Sequence, residues 1–153
     1  MDVRKTLEAM GMTLPPPSPC NGRFVKVKYF GDHLLYVSGS GSETPFRDTY
    51  GKLGKDVSLQ EGRAAAADTI LNILTAIEEE LGNLDRITSF VKLLVFVSSD
   101  PNFYDQPLVA DGATELLVQI FGKEIGCPAR SAIGVAVLPG NISVETECIV
   151  AFE

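Results

Sequence analysis

An α+β fold, a mixed β-sheet with two helices packed on one face, is what the order of hydrophobic periods along this chain predicts. Three observations carry that reading. Two-residue alternation with turn residues marks strands near both ends, two segments between them repeat apolar residues at helical spacing, and a β-branched run separates those two segments. At 153 residues with 45% hydrophobic composition, the chain is long enough to bury one core and is read as a single domain, 1–153.

The elements follow in order. "MDVRKTLEAMGMTLPPPSPC" reads as a short helix followed by a stiff proline segment. "FVKVKYF" (24–30) alternates, "GD" turns, and "HLLYVSG" (33–39) returns, which makes a β-hairpin. A glycine-rich stretch to about Gly54 is long for a compact domain and is a candidate functional loop, with room for one short extra strand in the 40s. "SLQE" at Ser58 is a capping box, Ala66, Ile70, Ile73, Leu74, Ile77 and Leu81 form one stripe, and Gly82 ends the helix. "RITSFVKLLVFVSS" (86–99) is expected to be a central strand covered on both faces. Pro107 suits the first turn of a second helix carrying Val109, Ala113, Leu116, Leu117 and Ile120, stopped by Gly122. The tail, "RSAIGVAVL" (130–138) and "ISVETECIVAF" (142–152) around "PGN", is expected to close as a second hairpin.

Composition excludes several function classes. A net charge of −7 argues against a broad phosphate-binding surface, so nucleic acid is not the expected partner. No apolar run is long enough to span a membrane, and the N-terminus lacks the apolar core of a signal peptide, so a cytoplasmic location is expected. Cys20, Cys127 and Cys148 show no metal-ligand spacing and His33 is the one histidine, so a metal site is not expected and the thiols are read as reduced. His33 sits at a turn and "IEEELG" reads as a solvated helix face.

The tail raises the chemical question. Under the hairpin register, Arg130, Ala132, Gly134 and Ala136 share a face with Ser143, Glu145 and Glu147, while Ile133, Val135 and Val137 join Val144, Cys148, Val150 and Phe152 in the core. Glu145 then lies about 13 Å from Arg130 along the sheet, with a floor of small residues between. A small anion or a neighbouring subunit fits that gap, and so does a solvated or interfacial ion pair. On spacing alone the chain is a soluble, oligomeric α+β domain.

"PARSAIGVAVLPGNISVETE" resembles the C-terminal signature of the RidA (YjgF) family, roughly P-x-R-[ST]-x(5)-LP followed by [IV]-E-[IV]-E. "LLYVSGSG" is similar to that family's second strand and SG turn, and "VKLLVFVSSDPNF" to its central strand and following loop. The resemblance covers about residues 23 to 152 and leaves the N-terminal helix and proline segment, 1–22, outside. It implies a homotrimer of chorismate-mutase-like subunits, the sheets forming an inner barrel with clefts between subunits. It further implies hydrolysis of small reactive 2-imino acids to 2-oxo acid and ammonia, with no metal and no cofactor. Residue by residue, the carboxylate-gripping arginine falls on Arg130 and the water-positioning glutamate on Glu145. Ser38 and Gly39 carry the SG turn and Phe103 an aromatic at the cleft edge. The chain departs from the pattern where Phe24 replaces a tyrosine, with Tyr29 or Tyr36 as candidate substitutes for its hydroxyl, and where Ala132 replaces a cysteine. It also departs in a longer "YDQPLVADG" segment that reshapes the cleft wall. It reads as a divergent branch. Two alternatives stand beside the deaminase: a non-enzymatic trimer that binds a small carboxylate, and the endoribonuclease activity that gives part of the family its name.

Overall fold

The computed structural model describes residues 2–20 and 22–153. Five strands form one mixed sheet in the order β1-β2-β5-β3-β4. They are β1 (Val27–Phe30), β2 (Leu34–Gly41), β3 (Ile87–Ser98), β4 (Ala129–Val135) and β5 (Val144–Phe152). Helix α1 (Val3–Ala9) precedes the sheet, α2 (Leu59–Leu81) joins β2 to β3, and α3 (Gln106–Gly126) joins β3 to β4. α2 lies over β2 and β5, and α3 over β3 and β4, so both long helices cover one face. The fold class is the expected one.

Local chemistry accounts for the boundaries. The Ser58 side chain accepts from the Glu61 N–H while Glu61 returns a bond to the Ser58 N–H, a reciprocal cap that satisfies two orphan donors. Gly82 ends α2 in the left-handed conformation at φ 75°. Gly122 also leaves helical geometry, at φ 75°, yet a further turn carries α3 on to Gly126. β1 and β2 pair as the expected hairpin, Val27 opposite Val37 and Phe30 opposite Leu34. The long loop holds isolated bridges at Thr44, Tyr50 and Leu53 in place of the short strand expected there.

The core is the interface between sheet and helices. Leu35, Val37, Leu93, Val95, Val97, Val144 and Val150 from the sheet meet Ile70, Ile73, Leu74, Val109, Ala113 and Leu117 from the helices, all without exposed surface. The helix that precedes the proline segment belongs to the same body, because Val3 and Leu7 of α1 are buried in the common core and α1 packs on α3. One charged side chain is also taken inside. Asp68 of α2 is buried with Arg47 Nη1 at 3.6 Å, and burial pushes its carboxyl up to about 6 although Arg47 opposes the shift. The three cysteines are unpaired. Among the described residues, no helix is long and apolar enough to cross a membrane.

The tail is corrected. β4 does not pair with β5; it runs parallel to β3, Arg130 beside Leu93 and Gly134 beside Val97, and β5 sits between β2 and β3. The 21-residue α3 is the crossover that a parallel β3–β4 pair requires. Consequently the expected face assignment of β4 is inverted. Arg130, Ala132 and Gly134 stand level with the buried Leu93, Val95 and Val97 on the helix side, whereas Ile133, expected in the core, is 43% exposed, and Val137, just beyond the strand, is 73% exposed. β5 keeps its expected faces, with Val144, Cys148, Val150 and Phe152 inward.

Candidate functional site

Glu145 projects from the face of the sheet that no long helix covers, and the geometry around it is set by an irregularity in β2. Val37 pairs with Cys148 and Ser40 with Thr146, so Ser38 and Gly39 together oppose Glu147. That is a β-bulge at the SG turn, the kind of feature that re-aims side chains beside a site. Ser38 uses it to hold the preceding segment: its N–H donates to the Lys26 carbonyl at 2.8 Å and its Oγ to the Val25 carbonyl at 2.7 Å. Phe24 and Lys26 are thereby brought beside the bulge, with Lys26 Nζ 5.7 Å from the centre of the Phe24 ring. A shallow groove on this face is lined by Arg23, Phe24, Lys28, Phe30, Tyr36 and Ser38.

Gly39 makes room for the glutamate. A Cβ on it would lie 2.0 Å from Glu145 Oε1, so the carboxylate rests on the bare backbone of the bulge. Partial burial pushes the Glu145 carboxyl above the ordinary glutamate range, the charge of Glu147 adds to the shift, and Lys26 opposes it. Glu147 accepts from the Tyr36 hydroxyl at 2.7 Å. Of the two candidate hydroxyls, Tyr36 therefore shares the face of Glu145. Tyr29 lies against Phe152 on the other side, with ring centres 5.6 Å apart.

Arg130 occupies a different place. It is on edge strand β4, on the helix side, with its side chain 20% exposed. Nη1 donates to Asp111 Oδ1 at 2.8 Å and to Thr114 Oγ1 at 3.1 Å, both on α3. Asp111 Oδ2 lies 3.9 Å from Arg63 Nη1, and Arg63 Nη2 donates to Glu115 at 2.7 Å. Among the described residues, Nε and Nη2 of Arg130 find no acceptor, and these two donors form the edge of the guanidinium suited to a carboxylate.

The residues expected at one site thus fall into three groups. Ser38, Gly39, Glu145 and Phe24 come together around the bulge. Arg130 and Ala132 lie under α3 at the far edge of the sheet, with Ala132 packed on the core. Phe103 is in the loop after β3, where its Cβ stands 2.9 Å from the position a Gly54 Cβ would take, and its carbonyl accepts from Gln106 Nε2 at 2.7 Å. Arg130 is level with Leu93 and Glu145 with Phe96, three residues along and two strands across, which separates them by about 14 Å and places them on opposite faces. The expected sharing of one face is therefore overturned by the parallel pairing of β4. Sequence reasoning missed Lys26, Asp111 and Thr114. The last two are three residues apart on one helix face, a spacing visible in the sequence, but only the crossover shows that this face meets β4. Among the described residues, no three His, Cys, Asp or Glu side chains group as a metal site.

Comparison with known proteins agrees with this architecture. The family model described as Endoribonuclease L-PSP matches residues 17–152. The Trypanosoma cruzi protein named TCP17 is 38% identical over 152 residues, covering 97% of this chain and 92% of its own length. The crystal structure of Atu1372 from Agrobacterium tumefaciens, described as of unknown function, superposes with a TM-score of 0.91 at 35% identity, over 99% of this chain and 92% of that one. A putative endoribonuclease from Shewanella oneidensis superposes with a TM-score of 0.92 at 25% identity, over 99% of this chain and all of that one (100%).

Proposed function

Since the chain belongs to the endoribonuclease L-PSP family, also known as the YjgF or RidA family, we propose that it is a hydrolytic deaminase of small 2-imino acids. Its site, on this reading, forms between subunits of a homotrimer. The observation that carries the proposal is the half-buried carboxylate of Glu145 resting on Gly39 at a bulge of the uncovered sheet face. Such a group, raised toward neutrality, suits general-base work on water.

The chemistry divides between two subunits. The Nε and Nη2 edge of Arg130 from one grips the substrate carboxylate with two parallel N–H···O bonds. Glu145 from its neighbour takes a proton from water as the oxygen bonds to the carbon of the protonated imine and the C=N electron pair moves to nitrogen, which gives a neutral carbinolamine. The proton on Glu145 then passes to the amine; as the C–N bond breaks, the hydroxyl oxygen forms the carbonyl and its proton returns to Glu145, which hands it to the departing ammonia, so 2-oxo acid and ammonium leave. Most of the acceleration on this scheme comes from holding water and a small electrophile together.

The ribonuclease in the family's name fits this chain poorly, because a net charge of −7 opposes the counterion release on which RNA affinity depends. The test is the rate of 2-oxo acid release from freshly generated 2-iminopropionate, for wild type, Arg130→Ala and Glu145→Ala. Acceleration by wild type that is lost in both variants is expected. Absence of acceleration by wild type would overturn the deaminase. Binding of pyruvate retained in Glu145→Ala and lost in Arg130→Ala would then identify a non-enzymatic carboxylate binder.

A further inference from the structure

Arg130 has five N–H donors on a side chain with several rotatable bonds, and an arginine left mobile loses rotamer freedom each time it grips a ligand. Here the loss has been met in advance. Asp111 and Thr114 both accept from Nη1, at 2.8 and 3.1 Å, and neither touches Nε or Nη2. The pair holds the guanidinium through Nη1 and leaves the two donors of its carboxylate-matching edge, Nε and Nη2, without an acceptor among the described residues.

The anchor is itself anchored. Gly112, next to Asp111, lets α3 close onto α2 so tightly that a Cβ there would stand 2.0 Å from the Arg63 carbonyl oxygen. Arg63 then reaches across α3: Nη1 donates to the Leu108 carbonyl at 2.9 Å and lies 3.9 Å from Asp111 Oδ2, and Nη2 donates to Glu115 at 2.7 Å. Asp111 is therefore held between two guanidinium groups, one carboxylate oxygen toward each. A ligand carboxylate on the Nε and Nη2 edge does not compete with it, because the two acids use separate edges of Arg130.

We propose that Asp111 is a positioning residue that presents the Nε and Nη2 edge of Arg130 to the substrate carboxylate, with Thr114 as its second contact. The proposal rests on the carboxylate-gripping reading of Arg130, and it assigns a role to the lengthened "YDQPLVADG" segment, which runs into the first turns of α3 and contains Asp111. Asp111→Ala and Thr114→Val are compared with wild type in three readouts: kcat and KM with 2-iminopropionate, binding of pyruvate and of neutral pyruvamide, and the Nε–Hε NMR resonance of Arg130, assigned by its loss in Arg130→Lys.

Asp111→Ala is expected to raise KM and weaken pyruvate binding about tenfold, as for loss of one charge-assisted contact, with kcat changed much less. Pyruvamide binding stays as it was, the Arg130 resonance moves toward that of a free arginine, and Asp111→Glu recovers part of the loss. Thr114→Val follows in the same direction with a smaller effect. A merely structural role predicts a different pattern, in which pyruvate and pyruvamide weaken together and kcat falls with thermal stability; that pattern overturns the proposal. So does an Arg130 resonance that stays put in Asp111→Ala. Should wild type neither hydrolyse the imine nor bind pyruvate, the carboxylate reading itself falls, and the resonance still decides separately whether Asp111 holds Arg130.

Discussion

Glu145 owes its position to a neighbour without a side chain, and Gly39→Ala tests that dependence. Gly39 is not in the left-handed region, so alanine is tolerated by the backbone, and the atom its Cβ would meet is the far end of a flexible side chain. The carboxylate swings aside while the fold stays. The expected outcome is a fall in kcat of about 10- to 100-fold from misplacing the base, with the melting temperature within about 4 °C of wild type. An unchanged kcat would mean that the water is positioned elsewhere. The surroundings of Glu145 make a second prediction with a definite sign. Glu147 raises its carboxyl and Lys26 lowers it, so the acidic limb of the rate profile moves to lower pH in Glu147→Gln and to higher pH in Lys26→Met. A limb that ignores both changes belongs to another group. At this scale the motif made the identities of Ser38, Gly39, Arg130 and Glu145 legible, since each is a chemistry-bearing or special-geometry residue. Lys26 was not legible, because only the bulge brings it near.

Elements show where local patterns stop being informative. Both caps of α2 and both ends of the first hairpin are written in adjacent residues, Ser58 with Glu61, Gly82, and the turn after Phe30. The partner of β4 is not. "PGN" favours a tight hairpin, while the helix between β3 and β4 favours a parallel crossover, and the sequence offers both signals at once. Burial separates them: β5 alternates cleanly between buried and half-buried positions, as a strand inside the sheet does, whereas β4 has no fully buried residue and lies at the edge. A β4–β5 hairpin register puts Arg130 on the face opposite to the one it occupies in the fold. Helix packing offers a test through Gly112, whose missing Cβ lets α3 contact the Arg63 backbone. Gly112→Ala is expected to cost about 2 kcal/mol in chemical denaturation, because backbone cannot swing away as a side chain can, and to weaken pyruvate binding by displacing Asp111. Helix α2 offers another through Asp68, which faces Arg47 of the loop after β2. Its carboxyl is raised from 3.8 to about 6 in the fold, so the native state holds its proton more tightly than the unfolded chain. Stability associated with this group is full below about pH 4 and is lost as pH rises through about 6. Asp68→Asn is thus expected to be the more stable protein at pH 8, by up to about 3 kcal/mol, and to match wild type near pH 3. A constant difference across that range would place the effect in packing instead.

At the scale of the whole molecule, distance makes the proposed chemistry depend on assembly. In a 2-imino acid the carboxylate is bonded directly to the imine carbon, so the arginine fork and the water-activating base must lie on either side of one small molecule. Within one subunit Arg130 and Glu145 are about 14 Å apart and on opposite faces. One chain alone cannot bring both to the same imine. The uncovered face supplies a reason to associate, since Phe30, Tyr36 and Ile133 are exposed on the same face of the sheet as Glu145. If each cleft takes Arg130 from one protomer and Glu145 from the next around a ring of three, two inactive proteins can make an active one. Arg130→Ala and Glu145→Ala, each without activity, are mixed in equal amounts, dissociated and reassembled. A cleft is intact when its arginine side comes from the Glu145→Ala protein and its glutamate side from the Arg130→Ala protein, which random assembly gives about a quarter of the time. Recovery of about a quarter of wild-type activity, appearing only after reassembly, is the expected result. Reassembled mixtures that stay inactive, while wild type treated the same way regains its rate, would place both residues in one protomer's site and require β4 to leave the face on which it is packed.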